Sequence, residues 1–367
     1  MYRMESAPGA KTVIDGREFD YFCGTGYFAF QGHPEIVRAA CEAVQKYGIG
    51  TATSRSGYGN NPVLLEVEER ASQFFEEESA LYYVSGYLGN AILLQGLAAR
   101  YEVIFVDAES HYSVRDGASI ANKPIIRFAH CDADDLAAKL SSELKPSQRP
   151  LVISDGIFPV SGEVPPLSEY VRVLANFDNS CICVDDAHAT GVVGKKGQGT
   201  FEFCGVQGEG RYSSGTLSKA FGGHGGIIAG EKDFIELLRT GSQIPYASSS
   251  VPAPAAAATA KAFEILMKRP EIRQQLWDNV LYAKDAFRKL GFDDIPDNPI
   301  PIICLSSADV DLESLQKRLF ERGIAVFYVP GGSYSSVPAA GAIRVAIFAT
   351  HTEAQINRLV SEMSGLI

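Results

Sequence analysis

The sequence predicts an α/β protein: a large, mostly parallel sheet covered by helices, followed by a smaller C-terminal α+β domain. Two observations carry this. Up to Val251, short β-rich runs alternate with helical periodicities, and most of the runs are apolar on both faces. Strands buried between two helical layers read that way, and the alternation implies right-handed crossovers. Beyond Val251 two helices follow each other directly, and shorter strand and helix units come after them.

Taken in order, residues 1–45 form an N-terminal segment, 46–250 a large domain and 251–367 a small one. Helical spacing of apolar residues marks Glu35–Tyr47 and Leu64–Phe75. Strands are expected at Ala80–Val84, Val103–Asp107, Pro124–Phe128, Leu151–Asp155, Cys181–Asp185 and Gly226–Ala229, with a helix at Pro166–Asn176. The small domain opens with the alanine-rich helix Pro254–Met267 and the amphipathic helix Glu271–Leu290. Strand Pro301–Leu305, helix Leu312–Arg322, strand Ala325–Tyr328, a glycine turn and strand Ile343–Phe348 follow. Thr352-Glu353-Ala354-Gln355 opens the last helix as a capping box.

Composition excludes several classes. The 367 residues are 46% hydrophobic and 21% charged, ordinary for a globular protein. A net charge of −11 without a long basic run argues against nucleic-acid binding through counterion release. Seven scattered cysteines, an odd number with no C-x-x-C pair, argue against a disulfide framework or a zinc site and suit free thiols in a reducing cytoplasm. The opening MYRMESAPGAK has no apolar core and does not read as a signal peptide. No window reaches the length of a membrane span.

Ligands in such sheets bind beyond the carboxyl ends of the strands, so polar residues at those ends matter most. Asp185 ends a buried-type strand, and His188 follows three residues later. A carboxylate there needs a cation or several donors. By themselves the pair also fits a capping aspartate with a loop histidine, or a metal cluster. Lys219 lies 34 residues beyond Asp185, between Thr216 and Ser218 on one side and Gly222-Gly223 on the other. Burial beside hydroxyls lowers a lysine's pKa and makes it a usable imine former. Together, a strand-end aspartate, a nearby histidine and a framed lysine are the parts that hold pyridoxal phosphate. The aspartate keeps the pyridine nitrogen protonated, the lysine takes the aldehyde, and hydroxyls and backbone N–H groups take the phosphate.

Lys219 in its frame, with VDDAHATGVVG before it, resembles the α-oxoamine synthases, which share the fold-type-I architecture of pyridoxal-phosphate enzymes. The resemblance runs from Tyr27 and His33-Pro34 through Tyr47-Gly48-Ile49-Gly50 to the last strand and helix. It implies a role for each matching position. Ser85-Gly86-Tyr87, before Gly89-Asn90, corresponds to the family's phosphate-binding turn at a helix N-terminus. His111, followed by Asp116-Gly117, corresponds to the histidine stacked on the pyridine ring. Asp185 pairs with the ring nitrogen, His188 lies by the ring hydroxyl, Thr216 and Ser218 flank the phosphate side, and Lys219 carries the cofactor. Ser249, in Ser248-Ser249-Ser250-Val251-Pro252, reaches the phosphate of the other subunit, which implies a homodimer. Arg344, ahead of Ala349-Thr350-His351-Thr352, binds the substrate carboxylate as a planar fork.

Departures from the family cluster on one side. Its D-E-A-H is Asp185-Asp186-Ala187-His188 here, and its S-M-D-G is Pro159-Val160-Ser161-Gly162, which removes a serine near the ring hydroxyl. Its N-Y-L-G is Gly26-Tyr27-Phe28-Ala29, and only Thr53-Ser54-Arg55 follows its G-S-R. The cofactor half matches, while the acyl-donor half departs. The resemblance implies decarboxylative condensation of a small amino acid with an acyl-CoA or other acyl thioester to give an α-amino ketone. Rival readings are an aminotransferase or C–C lyase on the same cofactor set, or a cofactor-binding regulatory subunit. A nicotinamide dehydrogenase is poorly supported, because no G-x-G-x-x-G follows the first strands.

Overall fold

The computed structural model describes residues 2–332 and 337–365; positions 1 and 366–367, the outer ends of the first and last expected segments, lie outside the described residues. Thirteen strands occur among the described residues: β1 (Lys11–Ile14), β2 (Arg17–Tyr21), β3 (Ser79–Tyr83), β4 (Val103–Asp107), β5 (Ile125–Phe128), β6 (Pro150–Asp155), β7 (Cys181–Asp185), β8 (Arg211–Thr216), β9 (Gly226–Gly230), β10 (Ile302–Leu305), β11 (Ile324–Ala325), β12 (Phe327–Val329) and β13 (Ala342–Ala346). Seven form the large sheet in the order β3-β9-β8-β7-β6-β4-β5. Its pairs from β8 to β5 are parallel, and β9 runs antiparallel to both neighbours. This is the large, mostly parallel sheet that the sequence predicts.

β4 and β7 begin and end where the sequence places them. Every residue of both is buried, so continuous apolar patterning suffices to find them. Strand β8 was missed. Its sequence RYSSGT carries no apolar run, yet Ser214 and Thr216 are buried. Hydrogen bonds replace apolar packing there: Ser214 Oγ donates to Asn90 Oδ1 at 3.3 Å. The hairpin β1-β2 was missed too. It extends into a three-stranded sheet with β11, which lies parallel to β2.

The expected single strand over Ala325–Tyr328 is divided. β11 pairs with β2, while β12 pairs with β13 in a second sheet, β10-β13-β12. Two partners on different sides cannot be met by one straight strand. The capping box forms as expected, with Thr352 and Gln355 each satisfying the other's backbone. The alanine-rich helix, Ala253–Lys268, packs against the helices Pro34–Tyr47 and Pro62–Phe75. Its small side chains allow that close approach, and a continuous apolar core joins all three.

Register then places the chemistry. Asp155 on β6 stands opposite Asp185 on β7, and Asp185 stands opposite Ser214 on β8. Three neighbouring parallel strands therefore deliver polar side chains to one point at their carboxyl ends.

Candidate active site

Asp185 is buried and held by three donors. Asn90 Nδ2 donates to Oδ2 at 2.6 Å, Ser113 Oγ donates to the same oxygen at 3.0 Å, and the Ala187 N–H donates to Oδ1 at 3.0 Å. These fix the carboxylate's plane. Asn90 comes from the helix Gly89–Gly96 and Ser113 from the helix Tyr112–Ile120. Neither was assigned this part from the sequence, since both contacts cross more than seventy residues.

Lys219 and His188 meet directly, with Nζ 2.8 Å from Nε2. Burial lowers the lysine's pKa to about 8, against the pull of Asp185 and Asp155, while Arg344 lowers it further. Burial also holds His188 well below the usual histidine range, assisted by Lys219, Arg344 and His111. On the far side of the imidazole, Nδ1 lies 2.7 Å from the hydroxyl of Tyr27. Tyr27 entered the sequence argument only as a match to the family and is the main residue that argument missed.

His111 sits at the N-terminus of the helix Tyr112–Ile120, where its Nδ1 accepts the Ser113 N–H at 3.0 Å. That bond and the 2.6 Å contact between Nδ1 and Ser113 Oγ fix the ring's orientation. Burial lowers its pKa despite the nearby Asp185. Asp155 accepts the His111 backbone N–H at 2.8 Å and so ties the histidine loop to β6. Its own pKa is pushed well up by burial and then by Asp185.

Ser85-Gly86-Tyr87 follows β3 and turns into the helix Gly89–Gly96. A side chain at Gly86 would run into Thr216, so backbone and hydroxyl share one tight corner. Thr216 Oγ1 lies 2.9 Å from Ser218 Oγ. The corner thus offers two hydroxyls beside free N–H groups at a helix start, the donor set a phosphate needs. Gly89 replaces the family's alanine for a packing reason: a Cβ there would strike the Tyr83 hydroxyl and Ser214. Ser249 is exposed and bridges to Ser54; among the described residues no hydrogen bond joins it to Thr216, Ser218 or Lys219.

Arg344, on β13, is buried. Its Nε donates to the Pro159 carbonyl at 2.7 Å and its Nη1 to the Gly24 carbonyl at 3.1 Å. Among the described residues it has no carboxylate partner, which leaves a buried cation with charge to spare. Pro159, where the family serine is lost, therefore contributes through its backbone. Ser161 does not replace that serine, because its Oγ accepts from Glu163 N within its own turn at 3.3 Å.

Asp186 turns away from Asp185 and accepts both the N–H and the hydroxyl of Thr200. Burial raises its pKa to about 7, opposed by those bonds. A carboxyl raised in the fold contributes stability below its unfolded pKa and loses it as pH climbs to about 7. Asp186→Asn is therefore expected to gain on the natural chain in melting temperature from pH 4 to pH 7, by a few degrees. A gap that stays constant with pH would refute the raised pKa.

A second cluster lies at the end of β4. His130 Nδ1 is 2.9 Å from Asp107 Oδ1 and Nε2 is 3.2 Å from Glu163 Oε2. Burial disfavours charge on this ring, yet Asp107, Cys131 and Glu163 raise its pKa to about 12. It is an imidazolium clamp between two carboxylates, tying the Phe158–Glu163 turn to the sheet.

Pyridoxal phosphate fits these groups. An anchored carboxylate, a lysine amine of lowered pKa and a hydroxyl-lined helix start lie where a pyridine nitrogen, an aldehyde and a phosphate would fall. Comparison with known proteins agrees. A family model for aminotransferases of class I and II matches residues 24–363. A putative 8-amino-7-oxononanoate synthase of Rippkaea orientalis is 34% identical over 366 residues, covering 99% of this chain and 93% of the relative. An 8-amino-7-oxononanoate synthase of Thermosipho melanesiensis is 35% identical over 357 residues, covering 96% and 90%. In structure, the serine palmitoyltransferase of S. paucimobilis superposes with a TM-score of 0.91 at 27% identity, over 100% of this chain and 92% of that one. The chain belongs to the aminotransferase class I and II family of pyridoxal-phosphate enzymes, in its α-oxoamine synthase branch.

Proposed function

We propose that this protein joins the α-carbon of a small amino acid to an acyl thioester, releasing the thiol and CO2 and leaving an α-amino ketone. The observation that carries the reading is a lysine amine of lowered pKa lying 2.8 Å from His188 Nε2, near both the anchored Asp185 and the Arg344 guanidinium. When bound, pyridoxal phosphate supplies the electron sink that makes the amino acid's α-hydrogen acidic.

Each group then has a task. Ser85, Gly86, Tyr87, Thr216 and Ser218 hold the phosphate, with Ser249 of a second copy completing that side. Asp185 pairs with the pyridine nitrogen and keeps its proton in place. His111 covers the ring face. Arg344 holds the amino acid's carboxylate by charge-assisted bonds. The amine of Lys219 takes the proton from the α-carbon. A new bond forms between that carbon and the thioester carbonyl while the carbon–sulfur bond breaks, and the sulfur leaves as thiolate. Loss of the carboxylate as CO2 leaves an electron pair at the α-carbon, to which Lys219 returns a proton. His188 Nε2 faces this proton traffic.

The exposure of Ser249, which among the described residues makes no hydrogen bond to the phosphate corner of its own chain, supports a homodimer in which a second copy supplies it. Seven free thiols with no disulfide support a cytoplasmic setting. Among the described residues no helix is long and apolar enough to cross a membrane. Thiol release tests the reading. Glycine, alanine and serine are offered with short, dicarboxylic and long acyl-CoA donors. Thiol release that requires the amino acid is expected with at least one pair. No release with any pair, while amino acids still change the cofactor's visible spectrum, would overturn the condensation and favour an aminotransferase or lyase.

A further inference from the structure

We propose that Tyr27 is a positioning residue that sets the tautomer of His188, fixing the imidazole proton on Nε2 so that the ring donates toward Lys219. The inference rests on the cofactor site above but not on the identity of the acyl donor.

The geometry is a chain of three groups. Lys219 Nζ lies 2.8 Å from His188 Nε2, and His188 Nδ1 lies 2.7 Å from the Tyr27 hydroxyl. Tyr27 is fully buried, with 0% of its surface exposed, so water cannot exchange partners with it. A phenol has one proton and can also accept. Among the described residues no carbonyl or carboxylate accepts that proton. The Arg344 guanidinium opposes the burial that raises the phenol to about 12. A guanidinium can only donate. The guanidinium therefore offers the phenol no acceptor, and the acceptor within hydrogen-bond distance of it among the described residues is His188 Nδ1.

Nδ1 therefore accepts. A neutral imidazole that accepts at Nδ1 carries its proton at Nε2. Charge does not blur this, because burial, Arg344 and His111 hold His188 well below the usual histidine range, as Lys219 also does while it is protonated. The Nε2–H then points at Nζ, whose lone pair receives it once the amine is uncharged, above the lysine's pKa of about 8. The remaining charged groups facing Lys219 are Asp185 and Asp155, which favour the ammonium, and Arg344, which opposes it. Tyr27 thus acts on the lysine through the histidine and helps keep its amine free. Removing the hydroxyl frees Nδ1 to hold the proton, lets Nε2 accept, and favours the ammonium.

Two measurements on the full-length chain test this, and neither uses a thioester. The first is a long-range proton–nitrogen spectrum of histidine-labelled protein. The chain has six histidines, so His188→Gln identifies the signal by its loss. The Nε2–H pattern is expected in the natural chain at about pH 9, above the lysine's pKa of about 8. An Nδ1–H pattern there would overturn the proposal without any tyrosine variant, so a Tyr27→Phe chain that failed to fold would not rescue it. The second is the pH dependence of the rate at which added pyridoxal phosphate gives its protein-bound absorbance. The reacting species is the free amine. Tyr27→Phe is expected to move the half-maximal pH upward by about half a unit or more, lowering the rate at pH 7.5 about threefold or more. An unchanged profile in a folded Tyr27→Phe chain would reduce Tyr27 to packing. If both measurements come out as expected and no thiol is ever released, the condensation reading fails while this one stands.

Discussion

Lys219→Ala is expected to lower amino-acid-dependent thiol release by about 10³- to 10⁴-fold or more, because it removes both the covalent anchor and the proton-transfer group. Binding of the cofactor itself should persist in weakened form, since Asp185 and the corner around Gly86 and Thr216 are untouched. Cofactor retention separates this outcome from misfolding. A variant that keeps more than about a tenth of the activity would remove Lys219 from the chemistry. Stability should change in the opposite sense. The lysine's pKa falls from 10.5 to about 8 in the fold, so the unfolded chain binds more protons between those values. Its burial penalty is therefore full below pH 8 and fades as pH approaches 10.5. Lys219→Met, which keeps the volume, should be the more stable chain at neutral pH, with the gap narrowing above pH 8 in parallel melting curves.

Arg344→Lys is expected to raise the KM for the amino acid about 10- to 150-fold, the range for losing a hydrogen bond to a charged group. The maximal rate should change only a few-fold. A lysine keeps the charge but replaces a planar fork with a point donor. It also cannot hold the Pro159 and Gly24 carbonyls together, which Arg344 does through two different nitrogens. A fall in kcat with KM unchanged would move Arg344 from carboxylate binding to a later step. No change in either would remove it from the substrate site.

The parts of the site that the sequence made legible are those that signal locally. Asp185 is exposed to inference because a buried apolar strand ends on it. Lys219 is legible because hydroxyls and glycines frame it within a few residues. The groups that were missed act across the fold. Asn90 reaches Asp185 from 95 positions away and Tyr27 reaches His188 from 161. Nothing near either residue in the chain announces its partner. Asp155 was placed at the end of a strand, but its hold on the His111 backbone depends on how two loops meet.

The same division runs through the fold. Periodicity found the strands that are buried among apolar neighbours, because burial on both faces demands apolar residues throughout. It missed β8, whose buried face is satisfied by hydrogen bonds, and it joined β11 to β12, which separate only because different sheets claim them. By itself the sequence determined the architecture and the cofactor class and singled out Lys219 as the candidate to meet it, since these rest on local pattern and on the chemistry of single side chains. The tertiary structure decided which donors fix Asp185, which hydroxyl faces His188 and what Arg344 holds. Those depend on strand register and on contacts between distant segments, and a buried polar group takes its character from the partners that register supplies.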